Sequence, residues 1–109
     1  AIESDAGGFT PYGFGMEMPD EKRMLVKSWA PLFRPYLVWN FEDSHGGTDI
    51  GPLRDRMKVP LFGLEVDSQR YFDYHHAASD TFDKVNKREL HLGAAAMAAM
   101  AYLLSVHGL

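Results

Sequence analysis

Apolar and polar positions along the chain predict a short series of alternating strands and helices. In Ala1-Ile2-Glu3-Ser4-Asp5 the apolar residues give way to polar ones as they do at the end of a β-strand. Residues 6–19 are rich in glycine, proline and aromatic residues without helical spacing, which predicts a long surface loop. Pro19 followed by Asp20 and Glu21 suits a helix start, because proline is tolerated in the first turn and acidic side chains favour the positive end of the dipole. This helix is expected to run to about Arg34 with Met24, Leu25, Trp29, Leu32 and Phe33 on one face, bent at Pro31 and ended by Pro35. Val38-Trp39-Asn40-Phe41 has the aromatic and β-branched content of a short strand, followed by the turn-forming Asp43-Ser44-His45-Gly46-Gly47. Residues 50–57 read as a short helix and 59–66 as a second apolar strand. Its unbroken Pro60-Leu61-Phe62-Gly63-Leu64 suits a strand covered on both faces, as in a mostly parallel sheet. Asn86-Lys87-Arg88-Glu89 resembles a capping box opening a final helix that ends near Gly108. That helix is apolar almost all round and is expected to be sandwiched between layers. The resulting alternation argues an α/β fold with helices on the sheet faces.

Composition changes this picture little. With 109 residues, 46% apolar and 24% charged, the chain has ordinary globular content and room for one core. A net charge of −4 gives no footprint for nucleic acid, which needs clustered Lys and Arg. The absence of cysteine excludes disulfides, thiolate metal sites and a cysteine nucleophile, without fixing a compartment. Residues 90–106 approach the length of a membrane span, but His91 and many small residues make a buried core helix the preferred reading, so no membrane partner is expected. The strand-like start without an initiating Met reads as a fragment, residues 1–109 being the C-terminal portion of one larger domain.

Three clusters hold candidate chemistry. His75-His76 followed by Asp80-Thr81 lies in a polar loop; imidazole suits zinc, and a carboxylate four residues on can orient the ring or cap the loop. On residue chemistry alone the two histidines are equivalent, and such a pair in a loop is more often surface or structural than a metal site. Asp5 follows the first strand, where open α/β sheets bind ligands beyond the carboxyl ends of strands; it is either an oxygen ligand or a cap. In His45-Gly46-Gly47-Thr48-Asp49-Ile50 the glycines allow close backbone approach and Asp49 can hold a polar group, or the segment is a plain glycine turn.

Taken together, Glu3-Ser4-Asp5-Ala6-Gly7, Gly47-Thr48-Asp49-Ile50, Val59-Pro60, Tyr71-Phe72-Asp73-Tyr74-His75-His76 with Asp80-Thr81, and the Ala-rich final helix resemble in order and spacing the co-catalytic di-zinc exopeptidases of metallopeptidase family twenty-eight, nearest to their plasma glutamate carboxypeptidase branch. The resemblance implies the last part of a three-layer α/β/α domain. It also implies that Asp5 is a carboxylate ligand of one zinc and His76 a ligand of the other, with His75, Asp80 and Asp49 nearby. The family's remaining ligands and its general-base glutamate would lie before Asp5, so this chain holds no catalytic base. The implied activity is hydrolysis near chain ends of a peptide or dipeptide substrate through a metal-activated water. The isolated chain is expected to be inactive, to bind zinc weakly and to self-associate through exposed apolar faces as a possible homo-oligomer. An extracytoplasmic location is the family's expectation. The alternatives are a metal-free binding or structural relative of the same fold, and an independent small α/β module.

Overall fold

A computed structural model describes all of residues 1–109. Its strands are β1 (Ile2–Glu3), β2 (Pro11–Glu17), β3 (Asn40–Asp43) and β4 (Leu61–Val66). The helices are α1 (Asp20–Ser28), α2 (Gly51–Met57), the single turn α3 (Tyr71–Tyr74) and α4 (Lys87–His107), with a 3-10 segment, Ala30–Tyr36, after α1 and a shorter one, Phe82–Lys84, before α4. The fold is α/β, as expected, with one sheet ordered β1-β4-β2-β3. The sheet is mixed: β1 runs parallel to β4 and β2 parallel to β3, but the central pair β2 and β4 is antiparallel.

The strand β2 corrects the loop expected over residues 6–19. Its residues alternate: Tyr12, Phe14 and Met16 point to one face, and Gly13, Gly15 and Glu17 to the other. Phe14 and Met16 are fully buried, opposite Leu64 and Phe62 of β4. Glycine on one face and proline at the start gave this central strand the composition of a loop.

The glycines serve a second layer. The chain leaving Asp43 crosses the sheet, residues 44–48 passing over β2 and β4 to β1. Gly15 lies directly opposite Gly63 in the ladder, and a Cβ on either would meet the crossing backbone, at 2.5 Å from the His45 carbonyl oxygen and 2.8 Å from that of Gly46. The glycine turn expected at His45-Gly46-Gly47 is therefore a strap seated on a glycine trough. Gly15→Ala is expected to cost about 1–3 kcal/mol, read by urea denaturation, because the obstruction is backbone that cannot swing away.

The strap is also held by Glu17, whose Oε1 accepts from the Gly46 N–H at 2.8 Å and whose Oε2 pairs with Arg54 of α2. The Gly46 hydrogen bond, and then Arg54, hold the Glu17 carboxyl below its ordinary value. A depressed folded-state pKa contributes stability above the unfolded carboxylate value, and that stability is lost as pH falls through the folded one. The stability advantage of the wild type over Glu17→Gln is thus expected at pH 6 and to shrink below about pH 4 in parallel denaturation curves.

On the other face sits the core, fourteen residues that include Phe14, Met16, Val26, Phe33, Phe41 and Phe62 from the sheet and α1 side, with Ala96, Met100 and Leu103 from α4. The helix expected over residues 20–34 is divided: α1 stops at Ser28, and a tighter 3-10 segment begins at Ala30, with Pro31 in its first turn and Pro35 inside it, and closes at Leu37 in the left-handed region. Trp29 and Phe33 are buried as expected, but Met24, Leu25 and Leu32 are exposed and Val26 takes their place in the core. The strand expected at 38–41 begins two residues later; Val38 is buried as core before it.

In α4 the Asn86 side chain accepts from the Glu89 N–H at 3.1 Å, as a cap does. The reciprocal half of the box is absent, because the Glu89 carboxylate instead accepts from Arg70 at 3.0 and 3.1 Å and from Thr10 at 3.1 Å. The helix is long and apolar enough to cross a membrane by length and composition. Within this chain only one of its faces, through Gly93, Ala96, Met100 and Leu103, is covered.

Candidate functional site

Topology brings Asp5 and the histidine pair together. Since β1 and β4 are parallel neighbours, their carboxyl ends share one edge of the sheet. Asp5 lies two residues beyond β1, and the segment from Asp67 to Thr81 follows β4 at the same edge. Both line a cavity of about 480 Å³ together with Phe9, Tyr71, Tyr74, His75, Asp80 and Thr81. The size suits a small ligand or a short peptide.

The histidines are presented by a tight turn. The single helical turn α3 ends as the His75 N–H donates to the Tyr71 carbonyl at 2.9 Å, and the Ala77 N–H then donates to that of Tyr74 at 2.9 Å. Between them His76 takes φ +55°, a left-handed conformation uncommon for a residue with a Cβ and concentrated at functional sites. The Tyr71 ring stacks on His75 at 4.7 Å between centroids, and His75 meets His76 edge to face at 4.1 Å. Phe9 is buried beneath, stacked on Tyr74 at 6.5 Å, with the Arg70 guanidinium 5.0 Å above its ring. Asp80 engages the loop through its backbone N–H, donated to the Ala77 carbonyl at 3.0 Å, rather than by orienting an imidazole.

Asp49 does not join this cavity. Its side chain is exposed, and its N–H, with that of Ile50, donates to Glu3 Oε2 at 3.0 and 3.1 Å, so Glu3 anchors the end of the strap. The other Glu3 oxygen is buried without a partner.

No protein-family model matches the chain. Carboxypeptidase Q of Mus musculus is 30% identical over 104 residues, covering 95% of this chain and 22% of that protein, and carboxypeptidase Q of Homo sapiens is 28% identical over a stretch of the same length. A crystal structure of a peptidase M28 precursor from Shewanella amazonensis superposes with a TM-score of 0.85 at 30% identity, over 95% of this chain and 24% of that one. The chain is similar to one segment of these peptidases. It spans about a fifth of the length of the curated relatives it matches.

The cavity has donors of the right kind for a metal, a carboxylate at Asp5 and an imidazole at His76. Their number is short: nowhere do three or more His, Cys, Asp or Glu side chains converge in a way that holds a metal. Of the residues that line the cavity, sequence reasoning left Phe9, Tyr74 and Lys84 without a role. The aromatic density of Tyr71-Phe72-Asp73-Tyr74 immediately ahead of the histidine pair was the available signal.

Proposed function

We propose that these 109 residues are part of a zinc-dependent exopeptidase hydrolysing peptides or dipeptides near a chain end, and that Asp5 and His76 are its contribution to a two-metal site. The convergence of these two side chains on one cavity, from the carboxyl ends of two parallel strands, is the observation that carries this reading. Peptide hydrolysis at such a site draws on a water acidified by metal coordination. This chain's own part is to hold the two donors, with aromatic walls from Phe9, Tyr71 and Tyr74 beside them to limit water and seat substrate. The other ligands and the general base are assigned to residues outside this chain, which leaves the isolated 109 residues inactive. An extracytoplasmic location belongs to the same proposal.

Isothermal titration with zinc tests it. The 109-residue chain is expected to show no stoichiometric submicromolar binding, because four-coordinate zinc needs more donors than this chain brings to either metal. The full-length protein is expected to bind two zinc ions and to hydrolyse dipeptides. Tight two-site binding by the short chain would contradict the division of ligands, and a full-length protein that binds no zinc would be a metal-free relative of the fold.

A further inference from the structure

We infer that His75 is a positioning residue: its ring, stacked on Tyr71, braces the His76 imidazole and fixes the direction in which it faces the cavity. The inference rests on the reading of His76 as a ligand. An exposed imidazole on a flexible loop samples several rotamers, and each must be given up when a metal or substrate is bound. His76 is exposed, yet two features restrict it. Its backbone is held at φ +55° between two turn hydrogen bonds. Its ring rests edge to face against His75 at 4.1 Å and 72° between planes.

His75 is itself fixed by more than its neighbour. Tyr71 lies parallel to it at 4.7 Å and 24°, and Phe72 meets it edge-on at 6.1 Å and 86°. Tyr71 in turn is packed against the main core. A chain of ring contacts therefore runs from the core through Tyr71 and His75 to His76, so rigidity in the core reaches a side chain that has no buried surroundings of its own. This arrangement uses the flat shape of the His75 ring rather than a hydrogen bond, because neither ring nitrogen is needed for stacking. It gives the adjacent histidines different work: His76 binds and His75 holds it in place. An aromatic residue that cannot ligate should serve at position 75, whereas a small one should not.

Solution NMR of the 109-residue chain and its variants His75→Phe and His75→Ala tests this. In the wild type the His76 ring protons are expected to be displaced by the ring current of His75, with cross-relaxation between the two rings. His75→Phe should keep a displacement and the ring-to-ring contact, while His75→Ala should bring the His76 protons to the values of a free histidine. Core methyl signals from Met16 and Met100 report whether each variant remains folded. Unchanged His76 signals in folded His75→Ala would overturn the brace, as would an equal loss in His75→Phe. Millimolar zinc added to the same samples reads the ligand role separately. Selective shifts of Asp5 and His76 in the wild type, weakened in His75→Ala and retained in His75→Phe, support positioning. Zinc that perturbs neither residue in the full-length protein while the ring contact persists would remove the ligand reading, and the positioning role with it, but leave the packing in place.

Discussion

His76→Ala in the full-length protein is expected to lower peptide hydrolysis by more than about 100-fold, since loss of an outer partner of a metal ligand already costs 10–100-fold and a ligand counts for more. The imidazole is exposed at the cavity and makes no contact with the core cluster, so the fold should survive its removal. Asp5→Ala should have a comparable effect, because Asp5 enters the same cavity from the other strand. Asp49→Ala, on the strap side of β1, should change hydrolysis little, as only its backbone N–H is engaged there. Steady-state rates on a dipeptide, with circular dichroism to confirm folding, separate these outcomes. A drop for Asp49→Ala as large as that for His76→Ala would mean that the cavity is not where the chemistry happens.

Phe14→Ala should produce the largest loss of stability. Phe14 is fully buried in the centre of the sheet, meeting Phe33 edge to face at 5.8 Å and Phe41 at 6.0 Å. Truncation removes the packing of three rings at once and leaves a cavity under rigid strands, at a cost of about 3–5 kcal/mol. Against the total of 5–15 kcal/mol usual for a domain, that is a large share. The urea midpoint should fall by roughly 2 M. Met24→Ala makes the matching control: the expected long helix placed Met24 on its apolar face, but the observed one leaves it 72% exposed, so the change should stay within about 0.5 kcal/mol.

The two variants mark where the fold was legible in sequence. The final helix and β4 announced themselves by a cap and an apolar run, both local signals. The strand β2 did not, because Gly15 is required by the strap that crosses it and Gly13 by the close approach of Asn40 and Glu65, demands made by residues far along the chain. Propensity counts such glycines against a strand, while tertiary structure demands them. The division of the first helix at Trp29 followed from the prolines, and Trp29 and Phe33 are buried as the apolar pattern implied, whereas Val26 rather than Met24 or Leu25 faces the core, a choice set by tertiary packing.

At the site, residue chemistry alone left His75 and His76 equivalent. Family resemblance singled out His76, and the structure adds a physical difference between them: the left-handed backbone belongs to His76 and the aromatic stack to His75. That Asp5 and His76 face one cavity follows from the parallel pairing of β1 with β4, a contact across about sixty residues that no local period encodes. Asp49 lies just before α2, as a glycine turn near a helix start implied, and what the sequence did not show is that Glu3 pins this end of the strap away from the cavity.

The most direct measurement is an anomalous-scattering crystal structure of the full-length protein grown with zinc. Two zinc peaks are expected at the cavity, one with the Asp5 carboxylate and the other with a His76 ring nitrogen at about 2.0–2.2 Å. A map in which both side chains stand free of metal, or in which His75 takes the place of His76, would contradict the assignment.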